Sequence, residues 1–449
     1  MSKLQLTNSY SRKKEIFKPL NLNQISLYAC GPTVYDKPHV GNARALVVFD
    51  LLYRILIELY GKSKVTYIRN ITDIDDKIIE SAKSKKISIS ELTSSITKEF
   101  KSNCASLFCI DPSFEPKATE HIKEMISMVE NLLKVKAAYE KNSHVYFSVS
   151  SFKNYGKLSN KKIDDLKAGA RIEVSDQKKD PLDFVLWKPS KTDEPGWSSP
   201  WGRGRPGWHL ECSAMSEKYL GKKFDIHGGG LDLIFPHHEN EIAQSCVNNN
   251  TDKFANFWVH NGFVTFNKEK MSKSVGNIST IEDANKKYSG QVVRLALLSA
   301  HYKQPLDWND NLLIEKSKTL DKWYSMYSTN YSDKTPDCFN ILLDDMNTPM
   351  YISKLHELFN QSVKNKDKKK EFNKACRLIG LFQETVSSRD IFKKSKIKMS
   401  KETILAKIND RDIAKKNQNY KLADKIRDEL NKQGIDIKDE KGKTTWDYK

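Results

Sequence analysis

The feature that most constrains the fold of this chain is a strand–turn–helix–strand run between residues 25 and 68. Ile25-Ser26-Leu27-Tyr28-Ala29 reads as a buried strand. It enters Cys30-Gly31-Pro32-Thr33-Val34-Tyr35-Asp36, a turn rich in backbone breakers. His39-Val40-Gly41-Asn42 then opens a helix. Leu52, Ile55, Leu56 and Leu59 fall at helical spacing, and Gly61 supplies the stop. Val65-Thr66-Tyr67-Ile68 is the next strand. This order predicts a doubly wound α/β domain whose ligand sits at the carboxyl ends of the strands. Cys30, His39 and Thr72 all fall at that end.

A second stretch, Phe224 to Glu241 (FDIHGGGLDLIFPHHENE), carries the richest chemistry. It reads as a short strand, Phe224-Asp225-Ile226, that breaks at Gly228-Gly229-Gly230, where a backbone can approach a ligand closely. A helix then opens after Pro236. His237 and Glu241 are four apart and share a helix face, and an imidazole with a carboxylate at that spacing can hold zinc. Cys212, in Gly207-Trp208-His209-Leu210-Glu211-Cys212, offers a thiolate, and Cys30 offers another. Taken alone, the acidic helix start is better read as a charge–dipole arrangement and the histidines as a satisfied polar pair. The flanking cysteines favour the metal. The chain has no Cys-x-x-Cys pair, so a closed structural zinc site of the usual kind is not signalled.

The cysteines, at 30, 104, 109, 212, 246, 338 and 376, are scattered and odd in number, which points to a reducing compartment rather than a disulfide framework. No apolar run is long enough to cross a bilayer, and the first residues lack the apolar core of a signal peptide. The formal net charge of +18 fits a polyanionic partner such as nucleic acid, and equally a lysine-biased composition.

The remaining segments follow in order. Ser88-Ile89-Ser90-Glu91 is a capping box opening a helix towards Cys109. Pro116 precedes a helix with Ile122, Met125, Ile126, Val129, Leu132 and Leu133 on its apolar side. From about Tyr139 to Gly204 short β-like pieces alternate with charged and glycine–proline segments, as in an insertion. Of the tryptophans near its end, Trp187, Trp197 and Trp201 read as small-domain core, and Trp208 lies close to Cys212. Lys270-Met271-Ser272-Lys273-Ser274 suits an anionic polyphosphate, because ammonium groups stabilise charge developing on phosphate oxygens. Residues 310–388 read as helices, 387–400 as a lysine-rich linker, and 401–449 as a small, polar, basic module.

His39-Val40-Gly41-Asn42 resembles the HIGH signature of class I aminoacyl-tRNA synthetases, and Lys270 to Ser274 is their KMSKS signature without a mismatch. Residues 28–36, 69–77, 205–215 and 224–241 resemble the cysteinyl-tRNA synthetase family specifically. The tail from Ala423 through Gly434 and Trp446 resembles its anticodon-binding module. One departure is plain: Asn42 replaces the last histidine of HIGH, and can hydrogen-bond a phosphate or ribose oxygen but carries no charge.

The resemblance implies an α/β Rossmann-like catalytic domain in two halves (1–115 and 206–309), a connective insertion (116–205), a helical bundle (310–388) and an anticodon-binding domain (389–449). It implies one Zn²⁺ held by Cys30, Cys212, His237 and Glu241, with Thr72 and Trp208 completing the cysteine pocket beside Cys30 and His237. His39, Gly41 and Asn42 would bind ATP with its Mg²⁺ at a helix N-terminus. Lys270, Met271, Ser272, Lys273 and Ser274 would hold the pyrophosphate, Lys270 and Lys273 acting catalytically with His39 and Asn42. The implied activity is ATP-dependent activation of L-cysteine and its transfer to tRNA(Cys), by a cytoplasmic monomer that needs no membrane. The alternatives are a cysteine ligase acting on an amino-sugar, which has no use for residues 401–449, and a non-catalytic RNA-binding relative.

Overall fold

The computed structural model describes residues 3–161, 177–266, 269–270, 279–397, 399–440 and 443–448. The chain opens with a hairpin, β1 (Gln5–Asn8) and β2 (Lys13–Ile16), then β3 (Ile25–Ala29), helix α1 (Val40–Tyr60) and β4 (Val65–Arg69). Helices α2 (Asp76–Lys85), α3 (Ile89–Ser106) and α4 (Ile122–Lys134) follow. Strands β5 (Ala138–Lys141), β6 (His144–Phe147), β7 (Phe184–Pro189) and β8 (Gly204–Pro206) form a separate antiparallel sheet. Trp187 on β7 meets Trp201 edge to face, ring centroids 5.9 Å apart, and rather than forming a small core of their own the two join an apolar core that continues through Tyr28, Leu210 and Phe224.

The chain then returns through α5 (Trp208–Leu220), β9 (Phe224–Gly230), α6 (Glu239–Asn249) and β10 (Ala255–Asn261). β10, β9, β3 and β4 lie side by side in that order, all parallel. β3 is thus flanked by β4 on one side and β9 on the other, so the winding reverses between β3 and β9. A parallel sheet opens a crevice at the carboxyl ends of such strands. This is the doubly wound α/β arrangement expected from the sequence.

α1 packs its apolar face on this sheet, with Val47, Phe49, Leu52 and Leu56 in one core with Leu27 and Ile226. It ends where expected, at Gly61, whose φ of +88° suits glycine. The expected capping box at Ser88 is formed on one side, its hydroxyl accepting from the amide of Glu91. The glycine run behaves differently from expectation. Gly228 and Gly229 do not break the strand but pair with Val259 and His260 in the ladder. They are glycines because of packing: a Cβ on Gly228 would stand 2.1 Å from the Phe49 ring, and one on Gly229 2.8 Å from the His238 ring.

Beyond β10 come β11 (Val264–Phe266), β12 (Glu269–Lys270) and, after Ile281–Lys287 and Gly290–Leu298 (α7 and α8), β13 (Leu306–Trp308). β11 pairs in parallel with β13. Helices fill most of residues 310–395. The tail is a helical hairpin, Lys401–Lys416 and Tyr420–Lys432, carrying the hairpin Ile435–Glu440 and Lys443–Tyr448 over a core of Ile404, Ile408, Leu430, Ile435 and Ile437. Among the described residues no helix is long and apolar enough to cross a membrane.

Candidate active site

A cleft of about 490 Å³ opens at the reversal point. Cys30 follows β3 on one wall. His39, Gly41 and Asn42, at the start of α1, line a second, and Trp208 and Gly230 a third.

The helix start is built by its own side chains. His39 is the N-cap of α1, and its Nδ1 accepts from the amides of Gly41 (3.1 Å) and Asn42 (3.4 Å). Asn42 returns the bond, its Oδ1 accepting from the His39 amide at 3.0 Å. Because Nδ1 accepts, the proton of the ring belongs on Nε2, which becomes the donor side. Asn42 therefore does structural work that a neutral amide performs well. The helix start is also tied to residues just beyond the lysine-rich motif: the Val40 amide donates to Ser279 O and the Ile281 amide to Pro38 O.

Four donors converge beneath the cleft. Sγ of Cys30, Sγ of Cys212, Nε2 of His237 and an oxygen of Glu241 all lie within 4.8 Å of one another. The two sulfurs are 3.6 Å apart, Cys30 Sγ is 3.6 Å from His237 Nε2 and 3.7 Å from Glu241 Oε1, and His237 Nε2 is 3.0 Å from Glu241 Oε1. A tetrahedral zinc with sulfur at about 2.3 Å and nitrogen or oxygen at about 2.0–2.2 Å sets its donors about 3.4–3.8 Å apart. Three of the four separations match those edges, and the fourth is slightly short.

The electrostatics agree. The Cys212 thiol is held down to about 6, chiefly by the hydrogen bond from Cys30, against burial and with help from His237. Burial and the histidines act oppositely on Glu241, and His227 and His237 win, holding it at about 2. Burial opposes charge on His237, but Glu241 and Cys212 outweigh it and raise its pKa to about 10. The cluster thus attracts positive charge, and its donors are the soft and borderline types zinc prefers.

A second quartet, Cys30, His227, His238 and Glu241, also converges. It lacks the second sulfur, although His238 Nε2 lies 3.3 Å from Cys30 Sγ. His227 Nε2 lies 2.9 Å from Glu241 Oε2, and His238 Nδ1 lies 2.7 Å from His260 Nε2. Burial, then the neighbouring histidines, hold His238 well below its usual pKa, and burial with His227 brings His260 down to about 3.

The supporting residues were not singled out from sequence. His227 holds one carboxylate oxygen of Glu241, which leaves the other to face His237 and Cys30. His209 Nδ1 is 3.0 Å from His237 Nδ1. Asn70 Oδ1 accepts from the Gly31 amide at 2.9 Å and lies 3.7 Å from Cys212 Sγ. Strand alternation alone puts His227 on the face of β9 opposite Ile226, which was the available signal. Trp208 lies flat over the His237 ring, centroids 4.1 Å apart. Thr72 sits beside Asn70 and Glu211. It is 2% exposed, its hydroxyl donating to Glu211 Oε2 at 3.0 Å and accepting from Asn70 at 3.3 Å. Met271, Ser272, Lys273 and Ser274 lie outside the described residues, and Lys270 is described only as a member of β12.

Residues 16–318 match the family model described as the tRNA synthetase class I (C) catalytic domain. A solved methionyl-tRNA synthetase from Mycobacterium tuberculosis, in complex with methionyl-adenylate, shares the fold, with a TM-score of 0.53 at 13% identity over 80% of this chain and 82% of that one. Fold, cleft and match define a class I synthetase architecture. The cysteine--tRNA ligase of Pelagibacter ubique (strain HTCC1062) is 55% identical over 99% of both chains, and that of Rickettsia bellii (strain OSU 85-389) 48% identical over 99% of both. The chain belongs to the cysteine--tRNA ligase family.

Proposed function

We propose that this chain activates L-cysteine with ATP, releasing pyrophosphate, and transfers the cysteinyl group to the 3′ end of tRNA(Cys), acting as a cytoplasmic monomer. The observation that carries the reading is the convergence of Cys30, Cys212, His237 and Glu241, at zinc-like spacings, beside a cleft headed by the N-terminus of α1. The tail supports tRNA over an amino-sugar as acceptor, because the cysteine--tRNA ligases match 99% of the chain, tail included.

A zinc ion held by Cys30, Cys212, His237 and Glu241 would supply a thiolate-preferring Lewis acid, which tells the thiol of cysteine from the hydroxyl of serine. An apolar pocket could not separate two such similar substrates without editing. Trp208 walls the pocket against water. The N-terminus of α1, capped by His39 and Asn42, turns its positive dipole end toward the ATP oxygens. The cysteine carboxylate attacks the α-phosphorus, and the bond to the β-phosphate bridging oxygen breaks. Lys270 and Lys273 neutralise the leaving pyrophosphate, which travels with Mg²⁺. The ribose hydroxyl at the end of tRNA then attacks the adenylate carbonyl and AMP leaves. The tail reads splayed anticodon bases.

Charging of a tRNA(Cys) transcript with radiolabelled cysteine tests the reading. Full charging by the whole chain, and loss of charging but not of adenylate formation after deletion of residues 401–449, is expected. Charging of an amino-sugar in place of tRNA would overturn it.

A further inference from the structure

Arg44, two residues beyond Asn42 on α1, is fully buried, yet its hydrogen-bond acceptors are all main-chain carbonyls. Nη1 donates to Phe263 O at 2.6 Å. Nη2 reaches His301 O at 3.1 Å, Tyr302 O at 3.4 Å and Gln304 O at 2.5 Å. Among the described residues no carboxylate pairs with it, and its buried Nε has no partner. Burial draws its pKa down to about 10. A buried cation satisfied only by dipoles is an expensive way to hold a core together, and apolar side chains often do as well. The guanidinium offers instead a rigid fork that can grip separate segments at once, which neither lysine nor an apolar residue can do.

The gripped segments are the ones that carry the far wall of the cleft. Gly262, Phe263 and Val264 line it, with the Phe263 side of that wall 41% exposed. The Gly262 amide donates to Tyr302 O and the Leu306 amide to Phe263 O, so two of the carbonyls Arg44 holds are also ladder points joining β10–β11 to β13. The Asn42 end of α1 faces the same cleft.

We propose that Arg44 is a positioning residue for ATP: its fork fixes the Gly262–Val264 wall at a set distance from the His39–Asn42 helix start, so that both contact one nucleotide. The proposal rests on the ATP reading given above. Gly262 provides an independent handle. A Cβ there would stand 2.7 Å from Lys303 O and 2.8 Å from Gln304 O, so alanine displaces the same turn without touching the charge.

The test is ATP–pyrophosphate exchange by the full chain and its Arg44→Lys and Gly262→Ala variants, varying ATP at saturating cysteine and cysteine at saturating ATP, with zinc content and melting temperature recorded. Both variants should raise KM for ATP by about tenfold or more, with KM for cysteine within about twofold and zinc unchanged. Arg44→Lys keeps the charge, so its failure to rescue assigns the effect to the fork. If Arg44→Lys does not fold, Gly262→Ala alone decides. Exchange in the wild-type protein with an unchanged KM for ATP in the folded variants would overturn the proposal, as would a parallel rise in both KM values with loss of zinc. No exchange by the wild-type protein with ATP would instead overturn the ATP reading on which it rests.

Discussion

Trp208 covers the ring of His237, with centroids 4.1 Å apart and planes 23° from parallel. The indole faces the cleft and the imidazole faces the donor cluster, so one side chain walls the pocket and holds a candidate ligand in orientation. Stacking of this kind contributes about 0.5–1.5 kcal/mol beyond burial. Trp208→Ala should therefore raise KM for cysteine by up to about tenfold, and Trp208→Phe much less. Zinc content should hold in both. Equal effects on ATP and cysteine would argue against a pocket role.

Glu241 has one oxygen for the cluster only because His227 holds the other, at 2.9 Å. Partners of this type cost about 10–100-fold in metal affinity when removed. His227→Phe, which keeps the ring shape, should weaken zinc binding by that factor in chelator competition. Unchanged affinity would show that Glu241 needs no second partner.

Asp50 links α1 to the helices behind it. Its carboxylate accepts from Arg54 Nε at 2.7 Å and the Ile110 amide at 2.6 Å, and it pairs with buried Arg294. Burial opposes its charge, but Arg294 and Arg54 prevail and its pKa is lowered. Asp50→Asn leaves Arg294 unpaired and should cost about 3–5 kcal/mol of stability. A carboxylate with a lowered folded pKa stabilises above its unfolded value, about 3.9, and loses that stabilisation as pH falls through the folded value. The gap between wild type and Asp50→Asn in denaturant unfolding should thus be full at neutral pH and narrow below about pH 4. A gap independent of pH down to the acid limit would contradict the ion-pair assignment.

Gly228 lies against Phe49 so closely that an added Cβ would fall 2.1 Å from the ring. Gly228→Ala should destabilise by about 1–3 kcal/mol through overpacking. Adding Phe49→Leu should recover part of that loss. A double mutant worse than the sum of the singles would mean that the glycine serves something other than this contact.

The sheet and the donors were legible in the sequence to different depths. The strand–turn–helix–strand run around α1 and its stop at Gly61 follow from local chemistry, which one chain segment carries by itself. So does the His237–Glu241 pairing, which needs only the helical period. The continuation of β9 through its glycines was hidden, because what requires those glycines is Phe49 on another element. The support given by His227, His209 and Asn70 was hidden for the same reason: each acts on a ligand contributed by a different element, and no periodicity within one segment reports that. The bonds of the Thr72 hydroxyl to Glu211 and Asn70 were hidden likewise, since Glu211 comes from a distant segment.

The central claim is that a metal held by Cys30, Cys212, His237 and Glu241 selects the thiol substrate. The most direct measurement is ATP–pyrophosphate exchange with cysteine and with serine, on protein assayed for zinc before and after chelation. About one zinc per chain should be found. Exchange with cysteine should exceed that with serine by at least about a thousandfold, and should fall with the zinc and return on its readdition. Undiminished, equally selective exchange by zinc-free protein would contradict the claim.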